Sequence, residues 1–258
     1  MAERAVGFRL TRVGIFAATR WERQAIQQVL LIDTIQRGAE YCRVIGRRGR
    51  CHVCLIQTGI GPANADAVCQ AVFKDQALDM AISSGLACAL TASSIGELFI
   101  GTDVLAVRSE GAKKMEAQVI CDRTLTDMAL RAARAEGLPA QAGRFVSLPR
   151  IIWRGEEKRR IAAETGAVAL DMESAAIGAM AVEHRIPFVV IRAVSDLVDE
   201  DLPMDFNLFL ERADWLRGAW ACVAKPASLV GLRRMRTQMR TASQRITTVF
   251  ERFLDDVA

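Results

Sequence analysis

Short apolar runs, bounded by glycine and polar residues, alternate along the chain with segments of helical periodicity. Such runs, where they are rich in β-branched residues, predict buried strands. Strands are predicted over 13–18, 51–57, 80–84, 104–107, 168–170 and 187–194. Helices are predicted over 22–31, 62–73, 125–136 and 174–184. Strands repeatedly separated by helices favour an α/β fold with three α/β/α layers and a central mixed, largely parallel sheet.

The chain changes character from Pro226 onward. Six arginines fall at 233, 234, 236, 240, 245 and 252, and apolar residues recur every three or four positions from Leu232 to Phe253. This spacing predicts one long amphipathic helix with a basic face. We therefore divide the chain into a main domain, 1–225, and a basic C-terminal helical extension, 226–258. The helix either packs on the domain or a second subunit, or lies on an anionic membrane surface.

Composition narrows the class of protein without identifying it. A chain of 258 residues can bury a full-sized core, and 51% apolar with 25% charged residues is typical of a globular protein. The net charge of +4 is too small to indicate nucleic-acid binding. Arg4, Arg9 and Arg12 interrupt the first apolar residues, so neither a signal peptide nor a membrane span is predicted, and a cytoplasmic protein is expected.

Neither a metal nor a dinucleotide cofactor is predicted. The seven cysteines are scattered through apolar runs, which is typical of buried thiols in a reducing compartment. Cys51 and Cys54 flank one of the two histidines, but they lie in a predicted strand and no second pair completes a zinc site. Gly59-Ile60-Gly61 lacks the third glycine of a dinucleotide fingerprint, because Asn64 takes that place.

Polar residues gather where the predicted strands end. The segments concerned are 20–22, 59–61, 83–85, 171–173 and 195–196. In an open parallel sheet, ligands bind beyond the carboxyl ends of the strands. Glu22, Glu173 and Asp196 would then share one rim. Glycosidic cleavage needs such a set: an acid for the leaving group, a base for the nucleophile and a charge that stabilises the sugar cation.

Each of these three acids also has a purely structural interpretation. Glu22 falls in the first turn of a predicted helix, where the helix dipole favours an acid. Glu173 could cap the helix that follows it, and Asp196 could act with Ser195 as an N-cap. Taken one at a time, the acids do not identify an enzyme.

Five segments, taken in order, carry a resemblance to a known family. They are Val-Gly-Ile-Phe-Ala-Ala-Thr-Arg-Trp-Glu (13–22), Thr-Gly-Ile-Gly-Pro-Ala-Asn-Ala (58–65), Ile-Gly-Glu-Leu-Phe-Ile-Gly-Thr-Asp (95–103), Ala-Leu-Asp-Met-Glu-Ser-Ala-Ala-Ile (169–177) and Ile-Pro-Phe-Val-Val-Ile-Arg-Ala-Val-Ser-Asp (186–196). Over residues 11–212 the chain resembles the purine/uridine phosphorylase superfamily, and within it the methylthioadenosine/S-adenosylhomocysteine nucleosidases. The resemblance implies a nucleoside phosphorylase-like fold, a nucleoside substrate and a homodimer.

The same resemblance implies roles for individual residues. Glu22 is similar to the acid that activates water, and Asp196, oriented by Ser195, to the acid that serves purine N7. Glu22 and Glu173 have to stay anionic, whereas burial and neighbouring carboxylates are expected to keep Asp196 protonated. The residues implied in substrate binding are Ser84, Gly85, Ile152, Met172, Glu173, Arg192 and Ser195.

The nucleophile is predicted to be water rather than phosphate. Ala-Ala-Thr-Arg-Trp-Glu stands where the phosphorylases have a loop of the Gly-Asp-Pro-x-Arg type, and an anionic Glu22 would repel phosphate. Hydrolysis to free adenine is therefore favoured. Arg20 and Arg192 leave a phosphate-dependent purine or uridine nucleoside phosphorylase as the alternative.

Two departures from the nucleosidases bear on the substrate. Leu86-Ala87-Cys88-Ala89 stands where they have Ser-Ala-Gly-Gly, and Ile151-Ile152 where they have a phenylalanine under the base. The stretch 158–174 and the arginine-rich C-terminus are similar to hopanoid-associated nucleosidases, which remove adenine from adenosylhopane. That likeness implies a lipid-linked substrate and a peripheral position at the inner membrane surface. An alternative of another class is a non-catalytic nucleoside-binding or membrane-associated scaffold, which the altered 84–89 loop would suit.

Overall fold

The computed structural model describes residues 11–38, 41–107, 115–209 and 226–257. In this part of the chain ten strands form one sheet. The strands are β1 Thr11–Ala17, β2 Leu31–Arg37, β3 Cys42–Arg48, β4 Cys51–Gln57, β5 Met80–Ala89, β6 Leu98–Val107, β7 Met115–Ile120, β8 Ala140–Ser147, β9 Ala169–Asp171 and β10 Phe188–Asp196. The helices are α1 Arg20–Gln27, α2 Pro62–Asp75, α3 Arg123–Ala135, α4 Gly155–Thr165, α5 Ser174–Glu183 and α6 Pro226–Val257, with a 3₁₀ turn at Phe206–Phe209.

The sheet is mixed. β4, β1, β5 and β10 lie side by side and run parallel, whereas β3 and β2 extend the sheet beyond β4 as antiparallel strands. β10 also pairs with β6, and β6, β8, β9 and β5 follow one another in turn, so this end of the sheet closes on itself. The predicted α/β fold with a central mixed sheet is confirmed.

Local sequence explains where several helices begin and end. The Asp122 carboxylate accepts the Leu125 N–H at 3.0 Å and begins α3. Pro62 opens α2, where its missing N–H is no loss and its fixed φ suits the helix. Gly166, with a φ of +65°, ends α4 in the left-handed conformation that glycine adopts without strain.

The predicted elements agree with the structure apart from their ends, but the prediction omitted some elements. β4 has the predicted bounds, and β5 and β6 are longer than expected. The prediction missed β2, β3, β7, β8 and α4. β2 is exposed at every residue, so it has no apolar face to reveal it. α4 begins with the charged run 156–160, which hides its helical period.

The apolar face of α6 packs on the domain. The buried residues Ala242, Ile246, Val249, Phe250, Phe253 and Leu254 share one hydrophobic core with α1, α3, β1 and β10. At the edge of this contact, Arg48 pairs with Asp255 at 2.8 Å. The second half of the helix therefore belongs to the core of the domain, as the first of the two interpretations expected. In the first half, Arg234 and Gln238 contact the Glu200 carboxylate instead. No helix in the described ranges combines the length and the apolar character that crossing a bilayer needs.

Removing one ring from this contact tests the packing of α6. Phe253 is fully buried, so we expect Phe253→Ala to lower the free energy of unfolding by about 3–5 kcal/mol, because the ring leaves a cavity. Urea denaturation measures the change. Val230→Ala, at a position that is 73% exposed on the same helix, serves as the control and should change stability by less than about 0.5 kcal/mol. Equal stability of the two variants would contradict the packing.

Candidate active site

A cavity of about 340 Å³ opens at the ends of β1, β5, β9 and β10. Glu22 lines it from α1, Glu173 from the start of α5 and Asp196 from the end of β10. The three acids lie far apart in the sequence, and the ends of the strands bring them to one cavity, which is of a size that takes a small molecule.

Glu22 is held by three hydrogen-bond donors. Its Oε2 accepts from the backbone N–H and the hydroxyl of Thr19, each at 2.8 Å, and its Oε1 accepts from the Leu86 N–H at 2.7 Å. The Thr19 hydroxyl also accepts the Glu22 N–H, which completes a capping box at the start of α1. The structural interpretation of Glu22 is therefore correct as well. The cap fixes the carboxylate at the cavity wall.

Gly85 shapes the space for Glu22, whereas Ser84 does not reach the cavity. Gly85 has a φ of +150°, and a Cβ at this position would lie 2.2 Å from Glu22 Oε1. Any other residue here would displace the carboxylate. Ser84 is fully buried in β5 and is not among the residues that line the cavity, so its predicted contact with the substrate is not seen.

Arg192 is a buried cation among three carboxylates. Its Nε lies 2.7 Å from Asp171 Oδ2, and its two terminal nitrogens lie 3.5 Å from Glu173 Oε2 and 3.9 Å from Glu22 Oε1. It also donates to the carbonyl of Leu86 at 2.9 Å. One guanidinium and three carboxylates leave this wall of the cavity with an excess of negative charge, which favours a cationic sugar over an anion such as phosphate.

Glu173 occupies the N-cap position of α5, but its side chain makes no capping hydrogen bond. It turns back and accepts the Gly61 N–H at 2.8 Å. Burial raises the pKa of Glu173 to about 7, against the opposing effect of Arg192 and with the support of the nearby Asp171 charge. With a pKa of about 7 the Glu173 carboxyl is only partly ionised at neutral pH, whereas the sequence led us to expect an anion.

Asp196 has a cation beside it. Lys158 of α4 donates from Nζ to Asp196 Oδ2 at 2.7 Å, and Ser195 Oγ lies 2.9 Å from Asp196 Oδ1. The charged group in contact with Asp196 is therefore an ammonium and not one of the carboxylates that the sequence led us to expect. Asp196 is not an N-cap either, since it ends β10 and a non-helical loop follows.

The remaining predicted site residues lie on the cavity. Met172, Ile152 and Ser195 all line it, and Ile152 is almost fully buried. Asn207 fixes the loop that carries Ile152: its side chain accepts the Ile151 N–H and donates to the Ile151 carbonyl, both at 2.8 Å.

Several contributors to the site were not predicted from the sequence. Thr19 had a detectable signal, because Thr-x-x-Glu before a helix is the pattern of a capping box. No sequence pattern indicated Lys158, because it lies inside a charged run that resembles the solvent-exposed face of a helix. Met235 and Met239 line the cavity from the first half of α6, and the sequence placed them only on the apolar side of a terminal helix.

One cysteine belongs to the cavity wall. Cys88 lines it next to Asp196, and burial raises the pKa of its thiol, with the Asp196 charge adding to the effect. The thiol is therefore neutral and acts as a small apolar group. In the part of the chain that the structure covers, no three His, Cys, Asp or Glu side chains gather as a metal ion would require.

A mixed α/β sheet with an acid-lined cavity at its strand ends is an arrangement typical of α/β enzymes. Residues 12–219 match the phosphorylase superfamily, and the chain belongs to this superfamily. The 5′-methylthioadenosine/S-adenosylhomocysteine nucleosidase of Staphylococcus saprophyticus is 30% identical over 185 residues, which are 66% of this chain and 81% of that protein.

Solved structures show the same fold. S-Adenosylhomocysteine nucleosidase from Streptococcus pyogenes, in complex with 5-methylthiotubericidin, superimposes with a TM-score of 0.77 at 18% identity, over 98% of this chain and 99% of that one. Futalosine hydrolase of Helicobacter pylori gives a TM-score of 0.69 at 19% identity, over 88% of this chain and 98% of that one.

Proposed function

We propose that the protein is a nucleosidase that hydrolyses the N-glycosidic bond of an adenine nucleoside and releases free adenine. The observation that carries this proposal is the convergence of Glu22, Glu173 and Asp196 on one cavity. Membership of the phosphorylase superfamily and the 30% identity to a nucleosidase support it.

The chemistry assigns one task to each acid. When the bond between C1′ and N9 breaks, positive charge develops on the sugar and the electron pair moves to the purine. Asp196 delivers a proton to N7 of the departing base. Glu22 takes a proton from the water that attacks C1′, and Glu173 accepts a hydrogen bond from the 2′-hydroxyl. One proton leaves water and another reaches the purine, so the step balances as a hydrolysis.

Water fits this cavity better than phosphate does. Arg192 is already engaged by three carboxylates and the Leu86 carbonyl, so it offers little to an incoming anion. Arg20, the other candidate cation, is exposed. The assay is adenine release from methylthioadenosine in phosphate-free buffer. Turnover that requires added phosphate would establish the phosphorylase alternative instead.

The scaffold alternative loses its main support in this site. It rested on the altered loop at 84–89, where Leu86 replaces the serine of the nucleosidases. The contact that Leu86 makes with Glu22 comes from its backbone N–H at 2.7 Å, which does not depend on the side chain. The substitution therefore leaves the position of the water-activating acid unchanged.

The 5′ substituent of the substrate is proposed to be apolar. Besides the acids, the cavity is lined by apolar side chains, among them Ile60, Leu202, Phe206, Met235 and Met239. Methionine side chains adapt to apolar groups of irregular shape. We infer a 5′-alkyl or lipid-linked adenine nucleoside as substrate, with adenosylhopane as the specific candidate.

A charge introduced in place of one of the two α6 methionines that line the cavity, Met235 and Met239, tests this specificity. We expect Met239→Asp to lower kcat/KM for a 5′-alkyl adenosine by about ten- to a hundred-fold, because the alkyl group would meet a desolvated carboxylate. The value for adenosine, which lacks the alkyl group, should change much less. Steady-state assays of both nucleosides with Met239→Leu as the control measure the difference. Equal losses for both substrates would contradict the assignment.

Two further proposals concern partners. The arginines Arg233, Arg236 and Arg240 of α6 are exposed, and we infer that they contact an anionic membrane from which a lipid-linked substrate is drawn. Co-sedimentation with anionic liposomes tests this, and equal binding after replacement of the three arginines by glutamine would reject it.

The family resemblance also supports a homodimer. Sedimentation equilibrium, which measures the mass of the assembly in solution, tests this proposal.

A further inference from the structure

Lys158 places a buried positive charge against the leaving-group acid. The side chain is fully buried, and its ammonium donates to three acceptors: Asp196 Oδ2 at 2.7 Å, the Leu197 carbonyl at 2.9 Å and the Glu200 carbonyl at 2.8 Å. An ammonium has three hydrogens, so this set satisfies it completely.

The ammonium is charged. Burial lowers the pKa of Lys158, but the charge and hydrogen bond of Asp196, together with the contributions of Cys88 and Glu200, outweigh burial and leave the pKa above its usual value. A buried ion of this kind is tolerated only with a partner of opposite charge and full hydrogen bonding. Lys158 and Asp196 therefore form a buried ion pair at the wall of the cavity.

We propose that Lys158 is a positioning residue for Asp196: its ammonium fixes Oδ2 and, as the cation in contact with this carboxylate, sets the highest pH at which the acid can protonate purine N7. This inference rests on the proposed nucleosidase function.

The Ser195 hydroxyl has two hydrogen-bond acceptors within reach, and the protonation of Asp196 decides to which of them it donates. Its Oγ lies 2.9 Å from Asp196 Oδ1 and 3.3 Å from the Ala87 carbonyl. While Asp196 is ionised, Ser195 donates to Oδ1. Once Oδ1 has taken a proton from solvent, Ser195 donates to the carbonyl, and the Oδ1 proton is free to point at N7. Lys158 keeps Oδ2 occupied in both states, so the proton that serves the purine resides on Oδ1.

Other groups near the pair are neutral or paired. The Cys88 thiol of β5 faces both members, and burial keeps it protonated. The Glu200 carboxylate pairs with Arg234 of α6 at 2.5 Å and accepts from Gln238 at 2.9 Å. The charge that acts directly on Asp196 is therefore that of Lys158.

The test is the pH profile of kcat/KM for adenine release by wild type, Lys158→Gln and Lys158→Met. Loss of a cation in contact with a carboxylate favours its protonated form by about one to three pH units. In both variants we expect the alkaline limb of the profile, where kcat/KM falls as Asp196 loses its proton, to move to a pH that is higher by about one unit or more. Arg159→Gln is the matched control, because it removes a charge from the neighbouring residue of the same helix at an exposed position. Its profile should be that of wild type.

The outcomes separate the two proposals. A wild-type protein that is inactive at every pH refutes the nucleosidase function. An active wild type whose Lys158 variants have the same alkaline limb, with only a lower rate, overturns the role of Lys158. Lys158→Arg should restore the wild-type limb, which a purely structural role would not require.

An infrared measurement keeps the inference testable if the Lys158 variants fail to fold. The difference spectrum between wild type and Asp196→Asn at neutral pH reports the state of this one side chain without any turnover. We expect carboxylate bands from wild type. A carboxylic-acid C=O band assigned to Asp196 in the empty wild-type protein would overturn the inference.

Discussion

Glu22→Gln is expected to lower kcat for adenine release by about a hundred- to ten-thousand-fold, which is the range that a general base contributes. Glutamine has the same size but no charge, so it cannot take the proton from the attacking water. The helix should survive the change, because glutamine also serves at this position of a capping box. A single-turnover assay, in parallel with circular dichroism, measures activity and fold together.

Glu156→Gln is the control for this prediction. Glu156 carries the same charge in the first turn of α4, where it is exposed and away from the cavity. Its substitution should leave turnover unchanged. Turnover of Glu22→Gln within a few-fold of wild type would show that some other group activates the water, and the assigned role of Glu22 would be lost.

Glu173→Gln should stabilise the protein above neutral pH and reduce its activity. The pKa of Glu173 in the folded protein is about 7, above its ordinary value of 4.5. Between these values the folded state binds the proton more tightly than the unfolded chain does, so the free energy of unfolding of wild type falls as pH rises through this window. Glutamine does not titrate, so we expect its advantage to reach about 2–3 kcal/mol at pH 8.

The pH dependence separates this effect from ordinary packing changes. Urea denaturation of wild type and Glu173→Gln at about pH 5 and pH 8 gives the two differences in the free energy of unfolding. The variant should be clearly more stable at the higher pH and close to wild type at the lower pH. An equal difference at both values would mean that the buried charge of Glu173 does not destabilise the fold.

Much of the fold was visible in the sequence because buried strands carry continuous apolar runs. Residues 51–57 and 187–194 show this most clearly, and the structure has β4 and β10 there. The rule that ligands bind at the ends of parallel strands also predicted that Glu22, Glu173 and Asp196 share one rim. The exposed β2 and the charged α4 lack such a pattern, which is why both were missed.

The partners of the site residues were harder to predict than the residues themselves. The contact between Lys158 and Asp196 joins residues 38 positions apart through tertiary packing that no local spacing reveals. Ser84 was expected at a strand end, but β5 continues past it to Ala89, and Ser84 is not among the residues that line the cavity. A motif identifies a carboxylate more readily than it identifies the charge that the carboxylate faces.

α6 both packs on the domain and lines the cavity, and the single row of apolar residues in its sequence does not show which residues do which. From Ala242 onward its buried face completes the core of the domain, whereas Met235 and Met239 line the cavity. A helix of 32 residues is long enough to do both, because its first half extends past the core to the cavity.

Hydrolysis of methylthioadenosine or a 5′-alkyl adenosine in ¹⁸O-labelled water without phosphate tests the central claim most directly. The account predicts free adenine and a sugar that carries the label in its new hydroxyl at C1′, with both products lost in Glu22→Gln. The absence of adenine from every adenine nucleoside tried, or a sugar 1-phosphate formed only after phosphate is added, would contradict it.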